Sequence, residues 1–156
     1  MNLAYVAGIM DGEGSIGFAK TRGYATPRVL VTNTNISLLQ DLAGCFGGNI
    51  NPLSKRKQGW KKAYSWRITS ARAVNFIEKI YPYLRIKDRQ AQVVFAWDAI
   101  RPGSGRQNAA NKAEHDDAVA LILEQISWLN KRGQNDSESP MALVAAEIGK
   151  GRSKKK

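Results

Sequence analysis

Val6-Ala7-Gly8-Ile9-Met10-Asp11-Gly12-Glu13-Gly14 is the stretch on which the reading of this chain turns. The residues from Leu3 to Met10 are apolar or small, which predicts one short helix that stops at the glycines that follow. Gly8 and Gly12 stand four apart with Ala7 and Met10 nearby, and this spacing puts a low ridge on one helix face. A second helix of the same kind can approach such a ridge closely. A tightly packed core helix would use the same residues. The two readings are compatible, because an interface between two copies is the core of the assembled protein. Glu13 then sits at the helix end. Two copies related by a two-fold axis place their Glu13 carboxylates side by side, where they repel unless a divalent cation lies between or beside them.

Outward from this helix, Ser15 to Lys20 and Val29 to Asn33 read as strands, with Gly23 and Pro27 in the turn between them. Asn35 can cap a helix from Ile36 to Phe46, ended by Gly47-Gly48. Asn49 to Lys57 and Lys61 to Thr69 read as a second hairpin that turns at Gln58-Gly59. Ser70 is a candidate cap for a helix from Ala71 to Tyr81, and Lys87 to Ile100 reads as another helix. Arg101 to Ala109 reads as a loop. Lys112 to Lys131 reads as a long helix with Ala118, Leu121, Ile122, Ile126 and Leu129 as its apolar stripe. Pro140 to Ile148 is a candidate last helix. Lys150 to Lys156 holds five basic residues in seven and reads as a disordered tail. Helix, hairpin, helix, hairpin and then helices is the order of an α+β domain, here expected over residues 1–149. One antiparallel sheet would carry helices on one face and leave the other free.

The nine residues from Val6 to Gly14 resemble the LAGLIDADG signature of homing endonucleases. Ala7, Gly8, Asp11 and Gly14 match letter for letter; Val6, Ile9, Met10, Gly12 and Glu13 are conservative replacements. Tyr81-Pro82-Tyr83-Leu84-Arg85-Ile86-Lys87 resembles the family's second recurrent block, so the resemblance covers roughly Leu3 to Ala96. It implies an αββαββα core with a saddle-shaped antiparallel sheet. It also implies hydrolysis of both strands of a long, pseudo-palindromic double-stranded DNA target with Mg²⁺ or Mn²⁺. Only one motif copy is present, so the resemblance implies a homodimer that meets through Ala7, Gly8, Asp11 and Gly12.

The resemblance also assigns the site residues. Glu13, with the carbonyl of Gly12, corresponds to the metal ligands; the acid is Glu where the signature has Asp. Asp11 caps or braces the helix end. Asn33, the polar residue that ends the second strand, corresponds to the family's solvent-orienting position, where many relatives carry Gln. Lys87 corresponds to a lysine that polarises the attacking solvent or offsets phosphate charge. A surface lysine capping a helix start is the plainer account of Lys87. His115, the only histidine, lies in a polar helical stretch and reads as a surface residue.

Charge points the same way. The 156 residues carry 24 Lys or Arg against 13 Asp or Glu, a formal net charge of +11. From Gly14 to Ile77 there are ten basic residues and one acid, Asp41. So one-sided a run favours a polyanionic partner. On the last strand, Lys61, Ala63, Ser65 and Arg67 alternate with Tyr64, Trp66 and Ile68. The aromatics are expected against the helices and Arg67 toward DNA. By the same alternation Gly17, Ala19, Arg28 and Leu30 face DNA from the first hairpin. Arg67 and Arg28 are candidates for bidentate guanine contacts, and Lys20, Arg22, Lys55, Arg56, Lys57, Lys61, Lys62 and Arg72 for phosphate contacts.

One cysteine, Cys45, excludes an intrachain disulfide and any zinc site built on two cysteines. No run approaches the ~20 apolar residues of a membrane span, and no signal peptide is recognised. The expected setting is intracellular, in a prokaryotic cytoplasm or an organelle, not secreted. Three other readings use the same basic sheet: an RNA-binding intron maturase, a DNA-binding regulator without catalysis, and a basic structural or ribosomal protein. The last leaves Asp11-Gly12-Glu13-Gly14 unexplained.

Overall fold

Asn2 opens the first helix, its side-chain oxygen accepting from the backbone N–H groups of Ala4 at 2.8 Å and Tyr5 at 3.3 Å. The computed structural model describes residues 1–21, 24–54, 59, 61–100 and 109–131. Helix α1 covers Leu3–Glu13. It ends at the glycines as expected, with Glu13 its last residue and Gly14 its cap, whose N–H donates to the carbonyls of Ile9 and Met10. A Cβ at position 14 would meet the Met10 side chain and stand 2.7 Å from the Met10 carbonyl oxygen. Gly14 is therefore needed for close approach, and Glu13 becomes the last helical residue.

Strands β1 (Gly14–Thr21) and β2 (Tyr24–Asn33) follow as an antiparallel pair, Gly14 opposite Val31 and Thr21 opposite Tyr24. Pro27, expected in the turn, lies inside β2 opposite Phe18. Its carbonyl accepts from Ser70 N at 2.9 Å. A strand residue's N and C=O point to the same side, so the missing N–H faces that side too and takes no bond from the β1 ladder. Helix α2 (Ile36–Phe46) is capped as expected by Asn35, which accepts from Leu38 N at 3.3 Å, and ends at Gly47 with φ 72°.

The second hairpin is shorter in the described residues than its sequence suggests: β3 is Asn49–Pro52 and β4 is Tyr64–Thr69. A bond from Leu53 N to Ala63 O, 2.9 Å, extends the pairing by one step. The sheet order is β1-β2-β4-β3, so the two hairpins join through β2 and β4. Helix α3 (Ala71–Ile80) follows Ser70, whose side chain makes no cap bond. Ser70 has φ 60° and starts the helix instead through its carbonyl, which accepts from Ala73 N and Val74 N. A short 3₁₀ turn over Tyr81–Tyr83 leads to α4 (Asp88–Ile100), and α5 covers Ala109–Leu129.

The chain divides into two compact units, Met1–Val94 and Phe95–Lys156. In the first, Ile16, Val29, Val31, Trp66 and Ile68 turn to one side of the sheet and are buried with Val6 and Met10 of α1, Leu39 and Leu42 of α2, and Phe76 and Ile77 of α3. Trp66 is fully buried, meets Phe76 edge-on at 5.4 Å between ring centroids, and donates its Nε1–H to Gly47 O at 2.8 Å. That bond satisfies its one polar atom. In the second unit Trp97, Ile122 and Ile126 are buried. The last two sit on the apolar stripe expected for α5. Pro140 to Ile148 and the tail lie outside the described residues.

Candidate catalytic site and nucleic-acid interface

The end of α1 gathers the residues that the sequence singles out. Asp11 uses both carboxylate oxygens on backbone N–H groups: Oδ2 accepts from Arg85 at 2.8 Å, and Oδ1 from Ile86 at 3.2 Å and Lys87 at 3.0 Å. One side chain thus straps the segment before α4 onto α1. The same strap delivers the Lys87 ammonium to the Asp11 backbone carbonyl. This carbonyl belongs to the helix's last turn, which lacks intrahelical donors and carries partial negative charge. Burial lowers the Lys87 pKa below its ordinary range, and the Asp11 charge partly offsets this.

Glu13 and Asn33 come together from the two ends of the β1–β2 hairpin. Asn33 Oδ1 accepts from Asn35 N at 2.8 Å, which leaves its amide Nδ2 to donate to Glu13 Oε2 at 2.6 Å. Glu13 is otherwise exposed at the helix end. The carbonyl of Gly12 is among the last four of the helix. A carboxylate and a helix-end carbonyl are hard oxygen donors, the kind that Mg²⁺ prefers. Asp11 is already committed to backbone. Among the described residues no group of three or more His, Cys, Asp or Glu converges.

The ridge predicted on α1 faces outward. Gly8 and Gly12 are exposed, and a Cβ added at either meets nothing within 4 Å. Ala7, grouped with them from the sequence, is fully buried in its own chain. Tyr5, not singled out by sequence, stands on the open face at 58% exposure, one turn before Gly8. Helical spacing from Gly8 and Gly12 back to residue 5 was the available signal.

The sheet's other face is open and free of acids: β1 to β4 contain no Asp or Glu. The registers align Ser15, Leu30, Arg67 and Asn49 in one row across the strands, and Gly17, Arg28 and Thr69 in the next. Arg67 is exposed while Trp66 and Ile68 are buried, as the alternation predicts. Thr32, Ser65 and Asn51 form a third row, in which Ser65, on the face the alternation assigns it, is buried while Asn51 is exposed. A cavity of about 300 Å³ brings Arg67 and Arg72 together with Ala19, Gly48, Asn49, Ile68 and Thr69. Lys61 and Lys62 are exposed, with the Lys62 ammonium 5.4 Å from the centre of the Tyr64 ring. Lys20 is exposed too, but it shares its strand face with Ile16 and Phe18 and so leaves the strand on the helix side. Arg22, Lys55, Arg56 and Lys57 lie outside the described residues. His115 is half-buried, its side chain 21% exposed and 3.4 Å from Asp116 Oδ1.

The fold matches solved homing endonucleases along nearly the whole chain. The homing endonuclease I-CvuI, crystallised with DNA, aligns with TM-score 0.63 and 19% identity over 96% of this chain and 94% of that one. This chain has the LAGLIDADG homing endonuclease fold. A second structure with that fold, the archaeal intron-encoded I-Vdi141I complexed with DNA, aligns with TM-score 0.57 and 16% identity over 94% of both chains. A third, the LAGLIDADG meganuclease I-CpaMI bound to uncleaved DNA, aligns with TM-score 0.58 and 19% identity over 96% of this chain but 48% of its own. No family model and no curated protein matches the sequence. Among the described residues of this LAGLIDADG fold, no helix is long and apolar enough to cross a membrane.

Proposed function

We propose that this protein is a site-specific, divalent-metal-dependent endonuclease that cuts both strands of double-stranded DNA as a homodimer. The observation that carries the reading is the convergence of Glu13, Asn33 and Lys87 on the end of a helix whose outward face is Tyr5, Gly8 and Gly12. Two such helices docked on that face bring two copies of the site together. An acid-free sheet with two arginines on its open face supports duplex DNA as the partner. Neighbours solved with DNA, one in 2 mM Mg and another in 2 mM Ca, support both DNA and a divalent cation. I-CpaMI, of which this chain covers about half, leaves length for a second unit of the same size, which fits a paired assembly.

Glu13 and the Gly12 carbonyl would hold the cation, which supplies an activated water and stabilises charge developing on the phosphate. Asn33 fixes the Glu13 carboxylate by a 2.6 Å bond and is itself held by Asn35, so the acid is preorganised rather than swinging free. Lys87 stands at the same helix end, where its ammonium would offset phosphate charge. Arg72, Lys61 and Lys62 contact phosphates and Arg67 and Arg28 contact bases.

The test is cleavage of a randomised duplex library with Mg²⁺, followed by sequencing of the ends. Cuts on both strands about the centre of a two-fold-symmetric site are expected. Absence of duplex cleavage, with tight binding of structured intron RNA and stimulation of its splicing, would replace this reading with that of a maturase.

A further inference from the structure

The strand registers supply a ruler for the target sequence. Asn33, which holds Glu13, ends β2. Leu30 is three residues back from it and pairs with Arg67; Arg28 is five residues back and pairs with Thr69. An antiparallel strand rises ~3.4 Å per residue, so the Arg67 row lies ~10 Å from the catalytic end and the Arg28 row ~17 Å. The rows are ~7 Å apart, and successive base pairs are stacked ~3.4 Å apart. Both arginines leave the same face, since Val29, Trp66 and Ile68 between them are buried on the other.

Their surroundings select a base edge over a phosphate. No acid stands on any strand to pair with either guanidinium. Arg28 faces Gly17 across the ladder, and Gly17 offers no side chain to block a flat partner. Arg67 is flanked by Leu30, which bonds to nothing polar, and by Asn49, which does not compete for acceptors as a charge would. Both are in mid-sheet strands, where a groove floor would lie, and not on the sheet's edges. A planar guanidinium in that position matches the two acceptors of guanine in the major groove.

We propose that Arg67 and Arg28 read two guanines in each half-site, about two base pairs apart, with the Arg67 guanine nearer the cleavage centre. This rests on the DNA endonuclease reading and adds a sequence requirement to it. The experiment selects bound duplexes from a randomised library with wild type, Arg67→Lys, Arg67→Ala and Arg28→Lys. Lysine keeps the charge and loses the fork, so it retains a phosphate contact and loses guanine discrimination.

Wild type is expected to return two guanines at that spacing. Arg67→Lys should relax the inner one and Arg28→Lys the outer one, each by roughly 10-fold or more in preference. If the variants bind every sequence equally less tightly and the consensus is unchanged, both arginines are phosphate contacts and the proposal is wrong while the endonuclease reading stands. If the guanines appear at another spacing, the ruler is wrong. If wild type selects no duplex DNA, the endonuclease reading fails and takes this proposal with it.

Discussion

Replacing Asp11 with alanine removes the acceptor for three backbone N–H groups at once. Those of Arg85 and Ile86 are exposed, so water takes over and each costs at most ~0.5 kcal/mol. That of Lys87 is partly buried, and stranding it costs ~1–3 kcal/mol. The expected loss is about 1–4 kcal/mol. The Lys87 ammonium keeps its bond to the backbone carbonyl of residue 11 in the alanine variant but loses the carboxylate's charge beside it, so the loss combines the strap with that charge interaction. Asp11→Asn retains one oxygen, which can serve Ile86 and Lys87, but turns an NH₂ toward the Arg85 N–H. It should lose only about 1 kcal/mol. Urea denaturation at fixed protein concentration measures both, with the concentration held because a dimer's stability depends on it. An Asp11→Ala protein within ~0.5 kcal/mol of wild type would refute the idea that this carboxylate holds the segment in place.

Trp66→Ala should cost ~3–5 kcal/mol in the same assay, because Trp66 is fully buried against Phe76 and bonded to Gly47 O; a loss under ~1 kcal/mol would contradict its place at the centre of the core. Gly12→Leu should leave the single chain folded, since nothing lies within 4 Å of an added Cβ, yet break the proposed dimer: sedimentation should show a monomer, against the dimer expected for wild type. A Gly12→Leu dimer of unchanged affinity would remove α1 from the interface. Chelation by EDTA should stop cleavage, leave DNA binding measurable by gel shift, and be reversed by Mg²⁺.

Much of the architecture was legible because local chemistry and tertiary structure agree. Asn35 and Gly47-Gly48 mark α2 by the rules of helix capping, and alternation along Tyr64–Thr69, which a bulge would have reversed, assigns Trp66 inward and Arg67 outward as found. The reading failed where distant residues decide. Pro27 lies in a strand because its bare nitrogen faces the Ser70 side. Ala7 and Gly8 are neighbours in the motif, but one turns into the chain and the other out of it. Only the packed helix reveals which. The candidate site was legible as a set of residues through the motif. Its wiring was not: nothing in the sequence links Asp11 to the N–H groups of residues 85–87.

The measurement that bears most directly on the central claim is single-turnover cleavage of a selected duplex with Mg²⁺, wild type beside Glu13→Gln, with binding measured in parallel. Wild type should cut both strands. Glu13→Gln should bind with similar affinity and cut at least roughly 100-fold more slowly. Equal cleavage by the two proteins would contradict the role given to Glu13, and cleavage by neither, with both binding the duplex, would contradict the endonuclease itself.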